Sequence, residues 1–193
     1  SKLRRPDDCI DEGSIYRYDA GYLVGAYLAE GCHAGDKRHL MLSLHGEKDI
    51  PIINRVTDYV SSSLQEHVWL TTTPLNKGVS LSLWGHVVSG IVNKFVFGQD
   101  SHTKRLNKDV WVQPESFLKG IVDAWLEGDG HYVAKYDGWK VNICTNQNLL
   151  DDMNLVCLIL GYPFRYRRIR VNQKDGVLRG NREYFAIWIK KNV

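Results

Sequence analysis

Leu40, Leu42 and Leu44 alternate with His39, Met41, Ser43 and His45. That period of two predicts a strand over 38–45 with one buried face. Before it, an apolar run from Gly21 to Glu30 is stopped by Gly31 and reads as a helix, with Asp19 as its N-cap. After it, the pattern predicts a helix over Ile50–Leu64 and strands over Val68–Thr73 and Val79–Trp84 around a turn at Pro74–Gly78. A further helix is predicted over His86–Phe97. The order then starts again. A helix is predicted from Ser116 to about Asp129, ended by Gly130, followed by strands near His131–Tyr136 and Trp139–Thr145 around Asp137-Gly138. Asn148–Leu160 reads as a helix that Gly161 and Pro163 end. Strands near Phe164–Val171 and Tyr184–Lys190 follow, with Phe185, Ile187 and Ile189 facing the core and Tyr184, Ala186 and Trp188 facing outward.

An internal repeat organises the chain. The expected fold is α+β, built from two pseudo-symmetric αββαββ units, the first with an extra helix. Residues 1–98 form one half and 117–193 the other. The polar stretch 99–116 reads as a linker.

Each half opens with a helix ending in an acid followed by glycine. The first reads Leu23-Val-Gly-Ala-Tyr-Leu-Ala-Glu30-Gly31 and the second Val122-Asp-Ala-Trp-Leu-Glu-Gly-Asp129-Gly130. Gly25 and Ala29 lie four apart, as do Ala124 and Gly128. Small residues at that spacing let two helix backbones approach closely. Two such helices side by side would bring Glu30 and Asp129 together. Neighbouring carboxylates at the carbonyl ends of helices repel unless a cation sits between them. Hard oxygen donors suit Mg²⁺.

These segments resemble the paired LAGLIDADG motifs of the homing endonucleases, including those carried inside inteins. The second motif departs from the pattern at Val122 and Ala124, so Glu127 is a second candidate for the acid assigned to Asp129. The resemblance implies saddle-shaped antiparallel sheets on double-stranded DNA, with the two motif helices at the interface between halves. It also implies a monomer that cuts both strands of a long site and leaves short 3′ overhangs. Glu30 and Asp129, beside the Gly31 and Gly130 backbone, would hold Mg²⁺; Mn²⁺ would substitute, and Ca²⁺ would support binding without cleavage. The family places a basic residue at the end of the second strand of each half. Here those places hold His45 and Asn146, leaving Lys48, Lys135 and Lys190 as alternatives. His45 and Lys48 are the catalytic candidates that accompany the two acids.

On the outward strand faces, His39, Met41, Ser43, Ser80 and Ser82 in the first half are candidate DNA contacts. In the second half they are Lys140, Asn142, Arg165, Arg167, Arg170 and Tyr184. Arginine pairs with guanine and asparagine with adenine in the major groove. The net charge is only +3, but seven basic residues and one acid lie between Arg165 and Arg182. Such a cluster is either a solvated face or a phosphate-binding one.

The remaining composition narrows the setting. The four cysteines, Cys9, Cys32, Cys144 and Cys157, lack C-x-x-C spacing, so free thiols in a reducing compartment are expected rather than zinc. No apolar stretch is long enough to span a bilayer. An intracellular protein of a microbial cytoplasm or an organelle matrix is expected. The alternatives kept open are a cleavage-deficient DNA-binding relative and a maturase-like RNA-binding protein of the same fold. A complete intein is not expected, because the sequence closes on Lys-Lys-Asn-Val rather than His-Asn.

Overall fold

Nine consecutive residues of the first helix, Ala20–Leu28, are buried. A helix apolar on every side must run through the core rather than over the surface. The computed structural model describes residues 16–35, 38–73, 77–169 and 184–190, and this helix, α1 (Tyr18–Glu30), is its axis. It starts earlier than its apolar pattern suggests. Asp19 lies inside the first turn, where a negative charge suits the helix dipole, and Arg17 is the capping residue.

Beside α1 runs α4 (Glu115–Asp129), with Phe117, Leu118 and Gly120–Leu126 buried. The two helices are parallel and touch backbone to backbone. A Cβ on Gly21 would lie 2.0 Å from the Phe117 carbonyl oxygen, and one on Gly25 2.2 Å from that of Ile121. On the opposing helix, a Cβ on Gly120 would lie 2.2 Å from the Tyr18 carbonyl oxygen, and one on Gly128 2.8 Å from the Ala29 Cβ. Ala124 is fully buried between the latter two. The small-residue stripe therefore extends a turn beyond the four residues named from sequence, to Gly21 and Gly120.

Each half adds a four-stranded antiparallel sheet of the same strand order. In the first, β1 (Gly31–His33), β2 (His39–His45), β4 (Gly78–Trp84) and β3 (His67–Thr73) lie side by side in that order. The second holds β7 (Gly130–Val133), β8 (Gly138–Cys144), β10 (Tyr184–Ile189) and β9 (Phe164–Ile169). Strand β1 has too few residues to show a period in the sequence. The strand expected over His131–Tyr136 stops at Val133 and passes into one turn of 3₁₀ helix, with Asp137 in the left-handed region at φ 45°.

Leu40, Leu42, Leu44, Val79, Leu81 and Leu83 face the core from the first sheet. Phe185, Ile187 and Ile189 do so from the second. Ala186, expected to face outward, is buried as well; a methyl group between longer neighbours is covered by them. Behind the sheets lie α2 (Ile50–Asp58), α3 (His86–Phe95) and α5 (Gln147–Ile159). The helix expected to continue to Leu64 widens into a π-turn at Tyr59–Ser63.

The stretch read as a polar linker is built into the structure. Strand β5 (Val96–Phe97) pairs with β6 (Arg105–Leu106), and Lys104, Leu106 and Val110 are buried. Leu106 and Val110 are the apolar signs of this in the sequence; the buried Lys104 left none.

Gly25→Ala forces the two central helices apart and is expected to destabilise the protein by about 1–3 kcal/mol, a fall in Tm of several degrees. Gly90→Ala in α3, where an added Cβ meets nothing within 4 Å, is expected to hold or raise Tm. Thermal melts of the two variants beside the parent check both expectations.

Candidate metal and DNA-binding site

Because α1 and α4 run parallel, both carbonyl ends point to one place, and each helix finishes there with an acid. The Glu30 carboxylate lies against the last turn of α4, its Oε1 3.7 Å from where a Gly128 Cβ would sit. Glu30 is half-buried and Asp129 is solvent-exposed. Burial first, then the Asp49 charge, raises the Glu30 carboxyl above its ordinary range, while Lys104 draws it back. Asp129 is pushed up to about 7, by the protein mass around it and by the Glu30 charge, with Lys104 and the Trp125 indole opposing. The open surface of Asp129 weakens the burial effect. The repulsion from Glu30 is the firmer cause, because both helix dipoles leave negative ends at the same point. The Trp125 indole nitrogen acts here without reaching hydrogen-bond geometry.

Glu127 is turned away from this place. It accepts a hydrogen bond from the Tyr22 hydroxyl and lines a cavity of about 680 Å³ with Asp19, Arg55 and Asp58. One turn earlier, the Tyr18 hydroxyl donates to Asp123 at 2.8 Å. These tyrosine–acid pairs lock the register of the two helices, and that register sets Asp129 rather than Glu127 beside Glu30.

A cation does accompany the acids, from an unexpected direction. Lys104 is 2% exposed. Its Nζ donates to the carbonyls of Tyr27 at 2.9 Å, Leu28 at 2.8 Å and Gly31 at 3.0 Å. Burial lowers its pKa, and the charges of Asp129 and Glu30 raise it again. Sequence reasoning missed this residue because its role depends on a fold-back between halves, which leaves no periodic signal.

Three of the other basic candidates, His45, Lys135 and Lys190, are engaged elsewhere. His45 Nδ1 accepts from the backbone N–H of Glu47 at 3.2 Å and of Lys48 at 3.3 Å, closing the turn after β2. Lys48 sits in that turn. Lys135 lies over the Tyr136 ring at 5.4 Å, and Lys190 is 3.7 Å from Asp137. The last two mark the outer end of the second sheet, away from Gly130. Asn146 is buried and serves as the side-chain cap of α5.

Among the described residues no three histidine, cysteine or carboxylate groups gather to hold a metal. Two carboxylates that repel each other at a solvent-reachable point nonetheless fit a hard cation. Mg²⁺ commonly binds through one or two carboxylates and leaves its other positions to water and phosphate. The adjoining Gly31 carbonyl is already taken by Lys104.

The open face of the first sheet carries rows across its strands. Trp84 pairs with His39 and His67, Ser82 with Met41 and Trp69, and Ser80 with Ser43 and Thr71. The β3 members were not foreseen. Trp69 is 68% exposed. The His39 ring stacks on Trp84 at 3.8 Å. This face is uncharged apart from histidine. On the second sheet, Trp188 aligns with Lys140 and Arg165, Ala186 with Arg167, and His131 with Lys140. Arg165 and Arg167 are exposed. Asn142 and Tyr184 continue these strands, but their side chains lie outside the described residues. So do Arg170, the remainder of the basic cluster up to Arg182, Cys9, and the turn residues 74–76.

No sequence profile of a known family matches the chain. Over 137 residues, 70% of its length, it is 27% identical to the DNA-directed RNA polymerase subunit Rpo1C of Methanocaldococcus jannaschii, and the match spans only 15% of that subunit. Among solved structures it is similar to I-DmoI in complex with DNA and Ca, at TM-score 0.56 and 9% identity, covering 89% of this chain and 82% of that one. The N-terminal LAGLIDADG domain of DUF199/WhiA is similar at TM-score 0.52 and 11% identity, covering 97% of this chain and 86% of that one. Full-length DUF199/WhiA from Thermotoga maritima is similar at TM-score 0.54 and 14% identity, covering 94% of this chain and 53% of that one. The chain has the LAGLIDADG fold.

The raised Asp129 pKa has a consequence for stability. An acid whose folded pKa exceeds its unfolded value holds its proton longer in the native state. Stability without metal is therefore expected to fall as pH rises from about 4 through 7. Asp129→Asn is expected to flatten that decline and to be the more stable protein above pH 7. Melts in chelator across this range check it, and an unchanged slope in the variant would overturn the assignment.

Proposed function

We propose that this LAGLIDADG-fold chain is a site-specific DNA endonuclease of the homing type, with Glu30 and Asp129 as the pair that holds divalent cations at the scissile phosphates. The observation that carries this reading is the meeting of two mutually repelling carboxylates at adjoining helix ends, between two sheets of equal strand order. An acid pair of that kind costs stability when empty, which a structural role does not explain. I-DmoI, of the same fold, is seen with target DNA and with Ca or Mn.

In this reading Mg²⁺, when bound, activates water and stabilises the leaving oxygen. Glu30 and Asp129 position it from opposite halves, so one chain completes the centre and a monomer suffices. Mn²⁺ would replace Mg²⁺, and Ca²⁺ would support binding alone. The open sheet faces hold the duplex in its major groove, one on each side of the acids. Lys140, Arg165 and Arg167 give the second sheet its phosphate and guanine contacts. His39, Met41, Ser43, Ser80, Ser82, Trp69 and Thr71 read the other half-site with little charge.

A second reading is a DNA-binding relative that does not cut. It is favoured by one observation: His45 and Asn146, at the strand ends where the nucleases carry basic residues, are both occupied with internal hydrogen bonds. DUF199/WhiA shares the fold under a name that states no nuclease activity.

The two readings part in a cleavage selection. A large randomised duplex library is incubated with Mg²⁺, cut ends are recovered, and Glu30→Gln and Asp129→Asn are run in parallel. The nuclease reading expects a long motif cut on both strands by the parent and by neither variant, with specific binding in Ca²⁺ retained by all three. Retention of a long motif with no cutting by the parent selects the second reading. Affinity is also expected to fall steeply with salt, since a basic sheet must displace counterions from phosphates. A flat plot of log K against log salt would remove the sheet face as the interface.

A further inference from the structure

The open face of the second sheet ends in a hollow. At its outer rim Tyr136, Gly138, Pro163, Arg165, Trp188 and Lys190 line a cavity of about 520 Å³, a size that suits a small ligand. The backbone shapes it. Lys190 N–H donates to the Pro163 carbonyl at 3.0 Å, tying the end of β10 to the start of β9. Asp137 turns the chain at φ 45°, and Gly138 follows without a side chain; a Cβ there would lie 3.0 Å from the Ile189 carbonyl oxygen. The Tyr136 and Trp188 rings meet edge to face, with centroids 5.3 Å apart at 85°. Trp188 is half-buried, while Tyr136, Arg165 and Lys190 are exposed. The Lys140 ammonium lies 5.6 Å from the Trp188 ring centroid and that of Lys135 5.4 Å from the Tyr136 centroid. Lys190 shares its charge with Asp137 at 3.7 Å. Two aromatic rings therefore meet at a concave point where Lys135, Lys140, Arg165 and Lys190 stand against one acid.

We propose that this hollow binds one unpaired nucleotide of a nucleic-acid strand, its base on the Trp188 and Tyr136 rings and its phosphate beside Arg165 and Lys190. A paired base hides its faces in the stack and offers a groove only its edge. Aromatic rings in a hollow offer the opposite, apolar area for a base face, which every base possesses. The surplus of cations specifies an anionic ligand. Inorganic phosphate leaves the rings unused, and an uncharged aromatic leaves the cations unused; a nucleotide engages both. The proposal rests on reading the second sheet as a nucleic-acid face. On that reading the hollow lies where a strand leaves the sheet, at the end away from Gly130, and takes a nucleotide unpaired at the flank of the bound duplex. It adds recognition of a strand end or an unstacked base to the duplex contacts of the sheet.

The test uses the whole chain in chelator with three probes: 2-aminopurine deoxyriboside 5′-monophosphate, a short blunt duplex, and the same duplex with a single-stranded 3′ or 5′ tail. Stacking on an indole quenches 2-aminopurine fluorescence, and the anisotropy of a labelled duplex reports its binding. The parent is expected to quench the mononucleotide saturably and to bind a tailed duplex more tightly than the blunt one. Trp188→Ala is expected to weaken mononucleotide binding about tenfold and to erase the preference for the tail. Tyr136→Ala, at an exposed ring, is expected to act in the same direction by less, and it decides the matter if the tryptophan variant does not fold. Quenching or tail preference that neither variant changes overturns the proposal, as does absence of saturable quenching by the parent. Saturable mononucleotide binding without any preference for a tail overturns the assignment to a strand and makes a free nucleotide the ligand. Blunt-duplex binding that is absent or indifferent to salt removes the reading of the sheet face instead, and the mononucleotide titration then judges the hollow by itself.

Discussion

The backbone contact between α1 and α4 is the constraint on which the rest depends. Gly21, Gly25, Gly120 and Gly128 let the helices approach until a single methyl group would collide with a carbonyl or a neighbouring Cβ. At that distance the helix ends cannot be solvated separately, so whatever terminates one helix is felt by the other. The packing brings Asp129 into the field of Glu30, and burial together with that charge raises the Asp129 carboxyl; burial and the Asp49 charge raise that of Glu30. The tyrosine–acid bonds from Tyr18 and Tyr22 fix the sliding coordinate that glycine contacts alone would leave soft.

The same contact relates the sheets. Strand β1 leaves α1 directly after Glu30, and β7 leaves α4 directly after Asp129, pairing through Gly31 with Leu42 and through Gly130 with Val141. Each sheet is therefore anchored by its inner end to an acid; in the proposed function a duplex laid on both faces would pass over the acid pair. The two faces are alike in topology and unlike in chemistry: one is aromatic and hydroxyl-rich, the other basic. Under the proposed function such a pair of faces would suit an asymmetric site, with electrostatic attraction concentrated on one half and shape and apolar contact on the other.

The pseudo-symmetry is broken again at the centre. One lysine serves two acids, and it reaches them from a segment whose backbone is held by α5 and the turn before it. Removing that lysine would take a buried hydrogen-bonded charge from three carbonyls at the negative end of a helix, of which that of Tyr27 keeps the Gly31 N–H as a donor. The halves are consequently joined by polar bonds as well as by the apolar seam of α1 and α4.

Much of this was legible in the sequence. The leucine alternation of β2, the unbroken apolar run of α1 and the repeated acid–glycine endings are local signals, and local signals survive without a fold. From them came the two-unit α+β plan, the small-residue spacing at Gly25, Ala29, Ala124 and Gly128, and the proposal of Glu30 and Asp129 as the acid pair. Which of Asp129 and Glu127 stands beside Glu30 needed the register of two helices about a hundred residues apart, in which Tyr18 bonds Asp123 and Tyr22 bonds Glu127. Lys104 was invisible for a related reason. A buried lysine in a polar stretch looks like a solvated one until the chain folds back and three carbonyls converge on it. Periodicity reports which face of an element meets the core. Only tertiary structure decides which distant polar groups meet inside it, because their partners are chosen by geometry and not by neighbours in the chain.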